Sequence, residues 1–166
     1  MTLPRVYVIL PGSDIPKSLE TERRRGVVSL QENKELIRRF VVEVYNKQDL
    51  TNYAEYVSEE LLDNGADHLS QFFTAFPDSH TTILDMFGEG EKVIARLRIN
   101  ATNKGPFAGQ PPTGKKVQFD SFRIYRIADG KIAESWAMQD RMGLMEQLGF
   151  VQSAGGNVNW AGGEED

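Results

Sequence analysis

Cysteine is absent from this chain of 166 residues, and histidine occurs only twice. The first absence excludes disulfide bonds, iron–sulfur clusters, thiolate metal sites and cysteine nucleophiles. The two histidines, His68 and His80, have no acidic partner at metal-ligand spacing on a shared helix, so we expect no metal site. Gly-x-Gly-x-x-Gly and phosphate-loop patterns are also absent, and we expect no nucleotide cofactor.

Long hydrophobic runs and an excess of positive charge are missing too. The apolar run near the amino terminus, residues 6–10, is far shorter than the roughly 20 residues of a membrane span. Aspartate and glutamate number 24 against 19 lysines and arginines, and this net charge of −5 disfavours nucleic acid as a partner. We therefore expect a cytoplasmic protein that binds neither membranes nor nucleic acid.

Apolar residues at helical spacing predict three helices in the first half of the chain. A capping box at residues 29–32 (SLQE) starts the first helix. Its apolar stripe consists of Leu36, Ile37, Phe40, Val41, Val44 and Tyr45. A short second helix is predicted at about residues 50–57. The third is predicted at about residues 67–76, where Pro77 ends it.

After Pro77 the apolar period changes from 3.6 to two, which predicts strands. Four consecutive strands are expected at about residues 80–87, 93–100, 117–127 and 131–140. A short helix near residues 142–148 closes the series. Helices followed by hairpin-connected strands predict an α+β domain, in which amino-terminal helices pack on a curved antiparallel sheet and enclose a pocket.

One domain is expected to hold all of these elements. Its predicted bounds are residues 29–150, preceded by an amino-terminal extension at 1–28 and followed by a flexible, acidic, glycine-rich tail at 151–166. No internal repeat or second apolar core is visible in the sequence.

The fourth predicted strand carries the clearest chemical signal. Strict alternation places Ile132, Glu134, Trp136, Met138 and Asp140 on one face. If this face lines the pocket, Asp140 is a carboxylate beside large apolar groups, an environment that suits a general acid or base near neutral pH. Alternatively, Asp140 caps the helix that starts near Arg141. The residues alone leave both roles open.

Three stretches carry a family resemblance: residues 33–46, the loop 105–115 (GPFAGQPPTGK) and residues 129–149 (DGKIAESWAMQDRMGLMEQLG). In order and spacing they resemble the SnoaL-like polyketide cyclases over about residues 32–149. This family belongs to the nuclear-transport-factor-2-like superfamily, so the resemblance implies a cone-shaped α+β barrel. The chain departs from the family pattern at Asn103 and Ser135, where members often have histidine.

The resemblance also implies a reaction and the residues that perform it. SnoaL-like cyclases close a ring by an intramolecular aldol reaction without metal or cofactor, and an aspartate exchanges the proton. In this chain that catalytic aspartate would be Asp140. Five further residues would shape an apolar slot or supply polar contacts for an apolar or polycyclic substrate: Trp136, Met138, Phe40, Tyr45 and Asn103. Ordinary core or loop roles stay open for each of these five.

Two other classes of function also stay open. A different acid/base reaction in the same pocket, as in an isomerase, a dehydratase or an epoxide hydrolase, would keep Asp140 but use other polar neighbours. A non-catalytic small-molecule-binding module would need no acid or base. For every class, the outer face of the sheet would expose Phe122, Ile124 and Ala133, and we predict that a homodimer buries them.

Overall fold

The computed structural model describes residues 30–152, except for the side chains of residues 63 and 64. The predicted amino-terminal extension with its apolar run, the cap residue Ser29 and most of the predicted tail lie outside the described residues. Within the described part, no helix is long and apolar enough to cross a membrane.

Helix α1 occupies residues 30–40 and continues as one π-helical turn, Val41–Asn46. All six residues of the predicted apolar stripe are buried, which confirms the stripe. In the wider turn, the backbone N–H of Lys47 donates to the carbonyl of Val42 at 3.3 Å, a hydrogen bond that spans five residues. Tyr45 lies in this turn, so its position depends on the local widening of the helix.

Two further helices precede the sheet, α2 (Tyr53–Tyr56) and α3 (Glu59–Ala75). The predicted start of α3 near residue 67 is wrong, because the helix begins earlier and runs through Gly65. A Cβ on Gly65 would lie 2.1 Å from the hydroxyl oxygen of Tyr53, so glycine permits the close contact between α2 and α3. Packing therefore overrides the low helix propensity of this segment. The predicted end before Pro77 is confirmed.

Four antiparallel strands follow and pair in chain order: β1 (His80–Glu89), β2 (Lys92–Thr102), β3 (Lys116–Ala128) and β4 (Lys131–Gln139). Helix α4 (Arg141–Leu148) closes the fold. These four strands and the closing helix are confirmed, and so is the α+β class with helices packed on an antiparallel sheet. The inner face of the sheet and the helices share one apolar core.

A β-bulge near the start of β4 changes the direction of its side chains. Ile127 of β3 pairs with Ile132, but the adjacent Arg126 pairs with Glu134, so Ala133 is an extra residue on β4. An extra residue in one strand shifts every later side chain to the opposite face. The alternation that holds at Ile132 is therefore reversed from Glu134 onward.

This reversal contradicts the predicted inward face of β4. Trp136 and Met138 pair with Ile124 and Phe122 on the outer face, where they are 47% and 78% exposed. The prediction that Trp136 and Met138 face the pocket together with Ile132 is wrong, because strict alternation assumes an uninterrupted ladder.

The outer face of the sheet carries an apolar row, here called the outer row. Cross-strand pairs place one residue of each strand side by side: Phe87, Ile94, Ile124 and Trp136. All four are exposed, and exposed Phe122 and Met138 lie beside them. The predicted exposure of Phe122 and Ile124 is confirmed, whereas Ala133 is partly buried at the bulge. Contiguous exposed apolar residues of this kind commonly mark an interaction surface.

Candidate functional site

A cavity of 280 Å³ lies between the helices and the inner face of the sheet. Its apolar lining includes Leu69, Phe72, Phe73, Leu97, Ile99, Phe107, Phe119 and Leu144. Its polar lining includes Tyr45, His68, Gln71, Ser79, Thr81, Arg123, Gln139 and Arg141. Aromatic walls with a few polar groups are typical of a small-molecule site.

The loop between β2 and β3 closes one side of the cavity with Phe107, and Asn103 organises this loop. Asn103 is 0% exposed. Its Nδ2 donates to the carbonyl of Gly105 at 2.8 Å, and its Oδ1 accepts from the backbone N–H of Thr113 at 2.8 Å. These bonds use both ends of the amide, and Asn103 is not among the cavity-lining residues, so the structure does not bring this predicted substrate contact to the cavity.

Phe40 and Tyr45 occupy different environments. The ring centre of Phe40 lies 4.9 Å from that of Tyr45 and 5.6 Å from that of Tyr56, within the aromatic core and away from the cavity lining. Tyr45 belongs to the lining. Of the five predicted substrate contacts, the structure therefore brings only Tyr45 to the cavity.

Asp140 lies between Gln139 and Arg141, which both line the cavity. Its exposed side chain caps α4, because Oδ1 accepts a hydrogen bond from the backbone N–H of Gly143 at 2.8 Å. A Cβ on Gly143 would lie 2.2 Å from Oδ2, so glycine makes room for the carboxylate. The capping role is thus present in the structure. It uses one carboxylate oxygen and leaves proton exchange at the other chemically open.

Three polar side chains follow one another on the inner face of β3: Ser121, Arg123 and Tyr125. The hydroxyls of Ser121 and Tyr125 are buried and have no hydrogen-bond partner among the described residues. Burial raises the pKa of Tyr125 well above its usual range, so its hydroxyl stays protonated. The guanidinium carbon of Arg123 lies 5.5 Å from the centre of the Tyr45 ring, within cation–π distance.

Arg123 is not among the site residues predicted from the sequence. A usable signal existed, because Arg123 is a charged residue at an inward position of a strand whose other inward positions include Phe119 and Ile127. His68, considered above only as a metal ligand, also lines the cavity. Over residues 30–152, no three His, Asp or Glu side chains are close enough together to hold a metal ion.

Comparison with known proteins identifies the domain that contains this cavity. Residues 35–148 match the model of the SnoaL-like polyketide cyclases. The chain belongs to this family. All cavity-lining residues lie within the matched region, so the cavity is part of the SnoaL-like domain.

Two curated relatives of this SnoaL-like chain are aklanonic acid methyl ester cyclases. DauD from Streptomyces sp. (strain C5) is 30% identical over 130 residues, which cover 69% of this chain and 80% of the relative. DnrD from Streptomyces peucetius is 27% identical over 130 residues, which cover 69% of this chain and 89% of the relative.

A solved structure with a similar fold is that of AclR from Streptomyces galilaeus, described as a hydroxylase candidate. It has a TM-score of 0.68 and 25% identity, and the match covers 74% of this chain and 83% of AclR. The expected cone-shaped α+β fold of the SnoaL-like proteins is therefore confirmed.

Proposed function

We propose that this SnoaL-like chain is a cyclase that closes a ring of a polyketide-type substrate by intramolecular aldol condensation. The single observation that carries the proposal is the aromatic-walled cavity within a polyketide cyclase domain. The relatives named as aklanonic acid methyl ester cyclases support a polycyclic β-keto ester as the substrate class. Phe72, Phe73 and Phe119 offer apolar walls for a flat ring system.

The proposed reaction requires a base, an electrophile and the return of one proton. A base removes the proton from the carbon between a ketone and an ester, and the resulting carbanion attacks a second carbonyl of the same molecule. One carbon–carbon bond forms, and the new alkoxide takes the proton back from the conjugate acid of the base. Because both reacting groups belong to one bound molecule, the cavity contributes chiefly by holding them in contact.

Asp140 is the residue that we propose as this acid and base. Its exposed side chain is not part of the cavity lining, but its chain neighbours Gln139 and Arg141 both line the cavity, which puts Asp140 at its edge. Its Oδ1 is held by the N–H of Gly143, which leaves Oδ2 as the atom that would exchange the proton with substrate. The cap would thereby orient the carboxylate rather than compete with its chemistry.

Turnover by wild type and Asp140→Asn tests this proposal. The substrates are polycyclic β-keto esters with a second carbonyl in reach, and ring closure is followed by chromatography and absorbance. Since general acid–base catalysis contributes about 10²- to 10⁴-fold, we expect a loss of that size in Asp140→Asn. Asp85→Asn, a carboxylate change on β1, is the matched control and should retain wild-type turnover. Equal rates in wild type and Asp140→Asn would remove Asp140 from the mechanism.

A non-catalytic binding module is the second candidate, favoured by the cap that engages Asp140. A purely apolar cavity would strengthen it, but Arg123, Gln139 and His68 line this one. Ligand binding without product would support it. An isomerase, dehydratase or epoxide hydrolase product would instead support another acid/base reaction in the same cavity.

A homodimer formed through the outer row is the assembly that we propose. The row crosses all four strands and exposes large apolar side chains, among them Phe87 and Trp136. A second copy would supply the same apolar surface in return, as two-fold interfaces do. The cytoplasm stays the expected location of the protein.

A further inference from the structure

Arg123 differs from the arginines beside it on the sheet. Arg96 and Arg98 of β2 both donate to Asp120, and Arg126 of β3 donates to Glu134. Arg123 belongs to the opposite face of β3 and forms no ion pair with an Asp or Glu in the described range 30–152; its polar neighbours are Tyr45 and Tyr125.

The surroundings of Arg123 compensate its charge only in part. The Tyr45 ring attracts the guanidinium through its π-electrons, and such contacts are weaker than a carboxylate partner. The cavity lining contains a second guanidinium, that of Arg141, and no Asp or Glu among the described residues. Removing a charge from water without a partner is unfavourable. A cavity with this lining is therefore electrostatically complementary to an anion.

The chemistry of the guanidinium narrows the kind of anion. Its planar fork of N–H groups matches two oxygens that share one negative charge, as in a carboxylate or an ionised 1,3-dicarbonyl. The neighbouring walls, Tyr45 and Phe119, are aromatic. A ligand that fits both features is a flat ring system with a delocalised oxygen anion at its edge.

We infer that Arg123 binds a delocalised oxygen anion of the ligand, and that this cavity selects planar compounds that carry one. The anion has two sources with the same chemistry: a carboxylate present in the free substrate, or the enolate that forms during ring closure. The enolate source rests on the proposed function, since it requires that Asp140 removes a proton. Anion binding itself can be measured without turnover.

Calorimetric titration with matched probes tests this inference. 2-Naphthoate carries the carboxylate, and 2-naphthamide is its neutral counterpart. 2-Phenyl-1,3-indandione, ionised at neutral pH, represents the enolate, and its 2-methyl derivative cannot ionise. Each probe is titrated into wild type, Arg123→Met, Arg123→Lys and Arg141→Met. Arg123→Met keeps the unbranched apolar stem of the side chain without the charge, and Arg141→Met removes the other arginine of the lining.

Wild type should bind at least one anion about tenfold or more tightly than its neutral counterpart, because hydrogen bonds to charged groups contribute about 1.5–3 kcal/mol. Arg123→Met should lose this preference while the neutral probes bind as before. Arg123→Lys should keep part of it, and Arg141→Met should keep most of it. A preference for naphthoate alone identifies the substrate carboxylate, and one for the indandione alone identifies the enolate.

Thermal unfolding separates ligand binding from a structural role. Loss of a charge that lacks a partner should leave the Tm of Arg123→Met equal to or above that of wild type. Equal affinity of wild type for charged and neutral probes, no binding of either anion, or full preference in Arg123→Met would each overturn the inference. If Arg123→Met does not fold, Arg123→Lys provides the test. A preference for the anion and an affinity for it that both equal those of wild type would contradict binding through the planar guanidinium. Anion binding without ring closure would refute the proposed function and leave this inference standing.

Discussion

Asp140 serves as the cap of α4 and as the proposed acid and base, and substitutions can separate these roles. Asp140→Ala removes both, because the bond from the N–H of Gly143 loses its acceptor. Loss of an aspartate cap costs about 1 kcal/mol. For a chain of this size, that lowers the Tm by about 2–4 °C. Asp140→Asn keeps a capping oxygen and loses only the attraction of the charge to the helix dipole, about 0.3 kcal/mol at an exposed site.

The assay measures the Tm by calorimetry and ring closure on the same samples. Asp140→Asn should unfold within about 1 °C of wild type and have lost turnover, whereas Asp140→Ala should lose both stability and turnover. Gly143→Ala is a geometric check, because the new Cβ would lie 2.2 Å from Oδ2 and displace the carboxylate. Its gain of about 1 kcal/mol in helix propensity should offset the lost cap, so turnover should fall with little change in Tm.

Two results would refute this reasoning. An unchanged Tm in Asp140→Ala would mean that the cap contributes nothing in solution. Turnover by Gly143→Ala at the wild-type rate would mean that the position of the Asp140 carboxylate does not matter for the reaction, whatever its effect on stability.

Two other predictions concern assembly and acid stability. Light scattering coupled to size-exclusion chromatography should give twice the 18.7 kDa monomer mass for wild type and the monomer mass for Trp136→Glu. The control Met142→Glu changes an exposed apolar position on α4 and should remain a dimer. A monomeric wild type would refute the dimer. The N–H of Thr102, with Lys104, lowers the pKa of Asp78 from 3.8 to about 2. Its stabilisation should therefore be complete above pH 4 and lost as the pH falls toward 2. Between pH 4 and pH 2, the Tm of Asp78→Asn should fall less steeply than that of wild type. Equal pH dependence of the two Tm values would contradict this role of Asp78.

The sequence pattern predicted an element correctly where the burial of one face decided its structure. The stripe of α1 and the strict alternation of β2 follow from burial of one face, and both are confirmed. The start of α3 was not predictable in this way, because the helix runs through Gly65, where it packs closely against Tyr53 of another helix. The faces of Trp136 and Met138 were mispredicted because one extra residue, Ala133, shifts the ladder without any signal in the alternation itself.

The candidate site shows the same division. The cap at Asp140 depends on a residue three positions away, and the sequence analysis had it as one of two open roles. The environment of Arg123 depends on Tyr45, which is distant in the chain and reaches the cavity from a widened helical turn. The loop role of Asn103 depends on Thr113, ten residues later.

By itself, the sequence determined the α+β class, the order of the strands and the family, because periodicity and motif spacing are properties of neighbouring residues. Tertiary structure alone decided which side chains share the cavity. The bulge in β4 moves Trp136 and Met138 to the outer face and leaves Gln139 inside. Arg123 lies inward by the alternation of β3, but its neighbours in the cavity, with Tyr45 among them and no carboxylate, come from other elements. The polarity of the cavity therefore depends on which elements pack together, which is not a property of any one strand.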